Sequence, residues 1–495
     1  MRIPFQPDHD PDGLRLPIKI DTTSNGEFQP LPLQPEHYQA HRLALRQAAD
    51  HARRRGQNRR RFLVSACGVA TNLLALNQVY AAAGKRGGFF AVDAAAALDP
   101  ELASRQIDGD EFIFDVQGHF VNPEGDWLKG LPDSARPLSG MPNAACGLAS
   151  EDQPLSYLQC LGPERFIQDV FVDSDTDMMV LSFVPSHRDA EPLTIAEAAA
   201  TREVVASLEG SHRLLLHGRV NPNQDGDMQG MDELAERWRI SAWKTYTQWG
   251  PDGVGYYLSD DVGLAFIEKA RQLGVKVICV HKGIPFGPRS YEHSLCDDIG
   301  VVARQFPDMS FIIYHSGFVP GQAEGPFDPQ HNNGIDSLVK SLRDNEVAPH
   351  SNVYAELGST WRFLMRDPDS AAHALGKLLL AVGENNVLWG TDSIWYGSPQ
   401  DQIQAFRTFQ IAPELSEAHG YPQLTAALKA KIFGLNATKP YRIEAAEVQR
   451  RMAGDAVQQL RLAHRDQPNP HYRTYGPRNR REFMRLRWLQ GGDPR

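Results

Sequence analysis

The stretch Asn386-Val387-Leu388-Trp389-Gly390-Thr391-Asp392-Ser393 constrains the fold more than any other, because an apolar run stops on a glycine and then presents a carboxylate. A run this short, preceded by helix-like sequence and ended by Gly390, reads as a buried parallel strand whose last side chains emerge at its C-terminal end. The design recurs upstream, where Val277-Ile278-Cys279-Val280 ends on His281 and Phe311-Ile312-Ile313-Tyr314 ends on His315. Closed barrels of eight parallel strands place their chemistry at that rim. His281, His315 and Asp392 are therefore the first candidates for a site.

Further runs of this kind complete a barrel. The first spans Glu111 to His119, and Met178 to Val184, His212 to His217 and Ile240 to Tyr246 follow. Val275 to His281 is the fifth, Met309 to His315 the sixth, Asn352 to Leu357 the seventh and Val387 to Asp392 the eighth. Helical stretches such as Ile195 to Leu208, Val262 to Leu273 and Ala371 to Val382 lie between them, the alternation of a parallel α/β fold. A (β/α)8 TIM barrel is predicted over residues 111–445, closed by helices at Pro399 to Phe409 and Leu424 to Phe433. At 495 residues, 41% apolar and 23% charged, the chain has ample material for a globular core. A formal charge of −10 argues against an electrostatic nucleic-acid binder. The five cysteines show no C-x-x-C spacing, which excludes a structural zinc module or disulfide framework of that type.

The flanks read differently. Residues 1–58 comprise a Pro-, Asp- and Asn-rich arm, weakly ordered by composition, and a helix ending in Arg53-Arg54-Arg55. Residues 59–84 run from Arg59-Arg60-Arg61 through a mildly apolar stretch to Ala81-Ala82-Ala83-Gly84, the pattern of a twin-arginine export signal with a small-residue cleavage site. That pattern predicts a protein exported to the periplasm or beyond, whereas an ordinary buried helix after a basic helix end predicts a cytoplasmic one. Polar Thr71, Asn72, Asn77 and Gln78 interrupt the stretch, so no permanent membrane anchor is expected. Residues 85–110 read as a connector, and the long insertion from Asn122 to Pro163 as a candidate lid. The Arg-rich extension 446–495 is expected to wrap the surface or reach a neighbouring subunit, giving a homo-oligomer.

Strand ends bring seven polar side chains to one rim: Gln117, His119, Lys244, His281, His315, Glu356 and Asp392. A single histidine at a strand end is most often a hydrogen-bonded packing residue. Three of them sharing a rim with a carboxylate suit a divalent metal, which wants neutral imidazoles, one carboxylate and an open position. His119, His281 and Asp392 satisfy that requirement.

The pieces Asp115-Val-Gln-Gly-His119, Val280-His281, Tyr314-His315-Ser-Gly317, Leu388-Trp-Gly-Thr-Asp392 and Lys431-Ile-Phe-Gly-Leu-Asn436-Ala make the chain from about Glu111 to Tyr441 resemble the amidohydrolase-related branch of the metal-dependent hydrolases. That branch includes aminocarboxymuconate-semialdehyde decarboxylase, γ-resorcylate decarboxylase and several lactonases. The resemblance implies one divalent ion, zinc or alternatively manganese, on His119, His281 and Asp392, with Asp392 and His315 as the catalytic pair. Gln117 stands where the family has another histidine ligand. An amide oxygen is a poorer zinc ligand, so weak binding, a harder ion or loss of the ion are all open. Lys244 is expected to pair with a substrate carboxylate or Asp392, or to become a carbamylated bridge between two metals, and Glu356 to brace the rim. The implied reaction is hydrolysis of an amide, ester or lactone in a small molecule by activated water. The alternative is decarboxylation of an aromatic or unsaturated acid, and from another class a metal-free ligand-binding barrel.

Overall fold

The computed structural model describes residues 16–20, 30–125, 127, 161–209, 212–286, 291–464, 480 and 484. Strand β1 (Gly88–Phe90) lies ahead of the barrel. Then come β2 (Phe114–Gly118), β3 (Met178–Leu181), β4 (Leu214–Arg219), β5 (Ala242–Tyr246), β6 (Val277–His281), β7 (Ser310–Tyr314), β8 (Val353–Glu356) and β9 (Val387–Leu388). These eight pair in parallel in sequence order, while β1 pairs antiparallel with β10 (Phe409–Ile411) outside the barrel. The ring closes through Val116 N–H to Trp389 C=O (3.0 Å), Asp392 N–H to Gln117 C=O (3.0 Å) and Ile394 N–H to His119 C=O (3.1 Å). The (β/α)8 barrel expected from the sequence is the fold.

Side chains alternate across each strand, so each run feeds two cores. In β6 and β7, Val277, Cys279, Ile312 and Tyr314 join the barrel interior with Phe114, Val116 and Leu388. Ile278, Val280, Phe311 and Ile313 pack outward against the helices. The floor is sealed by Ala437 and Tyr441. Asn436 donates from Nδ2 to the carbonyls of Glu384 and Val387, both at 2.8 Å, which fixes the entry into β9. A Cβ on Gly434 would lie 2.2 Å from the Phe112 carbonyl, so only glycine lets this segment approach the first strand.

The N-terminal region adds helices to the barrel. Helix α1 (Pro35–Arg54), the short α2 (Arg59–Leu63) and α3 (Ala66–Ala82) form a layer on the barrel. Cys67, Val69, Ala70, Leu73, Ala75 and Leu76 of α3 are buried in the core that also holds the outer faces of β6 to β8. A helix apolar on most of its circumference is stable only when covered, and α1 covers this one with Ala40, Ala44, Ala48 and Ala52. Leu16, Ile18 and Ile20 are buried in the same core, so this part of the arm is ordered by tertiary contacts that its composition does not announce. The expected connector carries β1, a helical turn at Ala94–Ala97 and α4 (Pro100–Ile107).

At the other end, the helices Ala445–Met452 and Ala456–His464 return to the barrel. Asp455 accepts from the buried Arg213 guanidinium at 2.7 Å, and Arg461 pairs with Asp177 at 3.2 Å. The first part of the extension therefore packs on the barrel. Its remainder, apart from residues 480 and 484, and nearly all of the expected lid lie outside the described residues. No helix among the described residues is long and apolar enough to cross a membrane.

Candidate active site

The strand ends converge as the sequence pattern requires. Asp392 follows β9 with φ +61°, and His315 follows β7 with φ +63°. The left-handed backbone region is costly for residues other than glycine, and such residues cluster where surrounding structure over-determines them. Here Glu356 supplies the constraint. Its carboxylate accepts the His315 N–H at 3.0 Å, and its backbone carbonyl accepts Ser316 Oγ–H at 2.8 Å. A Cβ on Gly390 would stand 1.6 Å from Glu356 Oε1, so the glycine that ends β9 makes room for this brace. Glu356 thus ties together the backbone that follows β7. Burial pushes its carboxyl well above the ordinary range, opposed by the His315 amide.

Asp392 is the hub. Its Oδ1 accepts from Gln117 Nε2 at 2.9 Å and lies 3.1 Å from His119 Nε2; its Oδ2 accepts from Ser359 Oγ. Burial raises its pKa, yet the hydrogen bonds from His119 and Ser359, with the neighbouring His315, outweigh that and hold the group at about 2. His119, His281 and His315 are all displaced downward, first by burial, so the imidazoles are neutral near neutral pH. The charge of buried Lys244 adds to each displacement. Lys244 Nζ stands 3.6 Å from the centre of the Tyr314 ring and 4.6 Å from that of Tyr246, cation–π contacts that stabilise a buried ammonium. His281 and His315 meet edge to face with ring centroids 4.5 Å apart.

Gln117 faces the site through its NH2 group. Nε2 donates to Asp392 and lies 3.4 Å from His119 Nε2 and 3.5 Å from His315 Nε2. The expected common face of Asp115, Gln117 and His119 holds for the last two. A register shift in β2 between Asp115 and Gly118 turns Asp115 aside, where its Oδ1 accepts the Thr391 N–H at 3.1 Å.

Among the described residues, no three His, Cys, Asp or Glu side chains already converge on one ion position. The donor chemistry nevertheless fits a divalent cation: neutral imidazoles, an ionised carboxylate, and buried Nδ1 of His119 and His281 and Oε1 of Gln117 without hydrogen-bond partners among the described residues. Gln117 NH2 engages the carboxylate oxygen such an ion would need.

Hydroxyl and aromatic side chains complete the site, and of these Ser359, Tyr396 and Tyr246 carry no signal in the sequence. Ser359 bonds Asp392 and also lies 2.7 Å from the Tyr396 hydroxyl. Trp395 stacks on His119 at 5.3 Å, and Tyr246 stacks on His281 at 4.9 Å. His217 did have the strand-end signal, but it points below the rim, 3.2 Å from the Tyr441 hydroxyl.

The amidohydrolase family profile matches residues 114–443. The chain belongs to the amidohydrolase family. The match begins at β2 and ends just past the helix that seals the barrel floor, so the N-terminal layer is an addition to the amidohydrolase barrel. No curated protein matches the chain significantly. Among solved structures, it is similar to 5-carboxyvanillate decarboxylase from Sphingomonas paucimobilis, with 13% identity, TM-score 0.44, and coverage of 68% of this chain and 100% of that one. For 2,6-dihydroxybenzoate decarboxylase from Rhizobium the values are 14%, 0.38, 67% and 99%. A candidate 2-pyrone-4,6-dicarboxylic acid hydrolase from Pseudomonas putida gives 15%, 0.35, 68% and 100%. Family membership makes this chain an enzyme of the superfamily.

Proposed function

We propose that this amidohydrolase cleaves an amide, ester or lactone bond of a small molecule with water. The observation that carries the reading is Asp392, an ionised carboxylate held at the barrel rim by Gln117, His119 and Ser359, beside the neutral imidazole of His315. His119, His281 and Asp392 would hold one divalent ion, zinc in the first instance, with Gln117 at its edge. Bound there, such an ion supplies Lewis acidity toward a carbonyl and lowers the pKa of water.

The chain's own groups do the rest. Asp392 accepts the proton of the attacking water, oriented for it by Ser359 and Gln117. His315, kept uncharged by burial and fixed by the Glu356 contact to its backbone, is placed to meet substrate. Trp395 and Tyr246 stack on His119 and His281 and hold their rings in orientation.

A second reading is favoured by Lys244. A buried ammonium close to the three imidazoles suits a substrate carboxylate; breaking the bond to that carboxylate releases carbon dioxide, a proton takes its place on the carbon, and the enzyme is then a lyase.

The test is metal analysis together with turnover. His119→Ala, His281→Ala and Asp392→Ala are expected to lose bound zinc, while His315→Ala keeps it and loses activity on a panel of lactones, amides and hydroxybenzoates. Equal metal content in all four variants would overturn the assignment. Carbon dioxide among the products selects the lyase reading.

A further inference from the structure

The loop that follows Asp392 is gripped from outside the barrel. Lys19, in the buried segment 16–20, donates from Nζ to the carbonyls of Tyr396 at 2.9 Å and Ser398 at 3.0 Å. The same ammonium stands 3.3 Å from Asp401, and the Lys19 backbone N–H donates to Asp401 at 3.0 Å. Asp401 in turn pairs with the buried Arg362 at 2.9 Å. Arg362 lies one turn along the helix Gly358–Leu364 from Ser359, whose hydroxyl bonds Asp392 and meets Tyr396. Ile18 N–H donates to Asn72 on α3, so the segment is itself anchored in the N-terminal layer.

Two routes thus run from Lys19 to the site carboxylate. One passes along the loop through Tyr396 to Ser359 and Asp392. The other passes through Asp401 and Arg362 into the helix that carries Ser359. Hydrogen bonds from a buried ammonium are among the stronger ones, and their geometry is fixed when every partner is enclosed. The barrel alone leaves these two carbonyls without that donor.

We propose that Lys19 is a positioning residue, and that the N-terminal segment is a working part of the site. It fixes the loop 393–398 and, through Tyr396 and Ser359, the carboxylate of Asp392. The inference rests on Asp392 being the functional carboxylate, but its first test does not depend on catalysis or metal.

In the full chain, Lys19→Met leaves Asp401 paired with Arg362. Hydrogen exchange at the amides of Ile394, Trp395 and Gly397 is expected to quicken by about tenfold or more, with β6 and β7 unaffected. Lys377→Met, which breaks the buried contacts of Lys377 with Glu324 and Asp336 at 2.6 Å, serves as a control for general loss of stability. It is expected to leave those three loop amides unchanged. Unchanged exchange in Lys19→Met, or an equal rise in both variants, overturns the proposal.

A zinc titration supplies a readout that a purely structural lysine would not move. Lys19→Met and Tyr396→Phe should each weaken zinc binding, and together should cost less than the sum of their separate effects. Additive losses would place Lys19 outside the route to Asp392. Absence of zinc binding in the unmodified protein would instead count against the proposed function and leave the exchange result standing. Should Lys19→Met not fold, the unmodified protein still decides. Its Ile18, Lys19, Ile394, Trp395 and Gly397 amides are expected to exchange as one cooperative unit, and independent opening of the loop overturns the proposal.

Discussion

Gln117 and Ser359 act on opposite oxygens of one carboxylate, and their variants should move metal binding in opposite directions. Gln117→His replaces an NH2 that engages Asp392 Oδ1 at 2.9 Å with an imidazole able to coordinate. Zinc affinity is expected to rise by about tenfold or more, the size of effect common for groups around a metal. Calorimetric titration checks this, and weaker binding would mean that the new ring does not face the ion. Ser359→Ala removes the donor to Oδ2. It is expected to weaken zinc by about tenfold with little change in Tm, because an orienting bond is lost without opening the core. His119, His281, His315 and Asp392 were all legible from strand ends, since an apolar run and its terminating side chain are local features. Ser359 was not: its partner lies 33 residues away on another element, and a Gly-Ser dipeptide after a strand says nothing about it.

Helix α1 illustrates how the added layer is held. Its buried His37 approaches the Arg366 carbonyl through Nε2 at 3.0 Å and accepts the Gln34 N–H on Nδ1 at 2.9 Å. Burial, helped by the Arg366 charge, lowers its pKa to about 4. The unfolded or undocked ring takes up a proton near pH 6.5, so it binds more protons than the docked ring between about pH 6.5 and 4. The contribution of His37 to docking is therefore complete above about pH 6.5 and falls as the pH drops toward 4. Exchange across residues 35–54, corrected for intrinsic rates, is expected to show α1 loosening at pH 5 relative to pH 7. His37→Gln should flatten that dependence; an identical slope in the variant would assign it to other groups. The helix itself was expected from its pattern. Its partner across 329 residues was invisible, because no local pattern encodes which loop a helix will cover.

The described residues form an amidohydrolase barrel with an N-terminal layer, and that layer raises the question of export. Arg59 and Arg60 at the start of α2 remain the ground for proposing a twin-arginine route, which carries folded protein. Arg59→Lys with Arg60→Lys is expected to retain the protein in the cytoplasm, as fractionation would show. Cleavage near Gly84 would strip α3 and Lys19 from the folded core, exposing apolar surface at roughly 25 cal/mol per Å². Sequencing of the mature N-terminus is therefore expected to find residues 66–82 retained, and a start near Gly84 would sink the view that the layer serves the site. The eight-strand barrel, its family and the rim that holds the site could all be read from residue order, because strand periodicity and strand-end chemistry repeat within a few residues. A mildly apolar helix after paired arginines has the same local composition whether it leads a chain through a membrane or fills a core. The contacts that bury α3, seat Lys19 on a loop 377 residues away and turn Gln117 NH2 toward Asp392 arise only when distant segments share one interior.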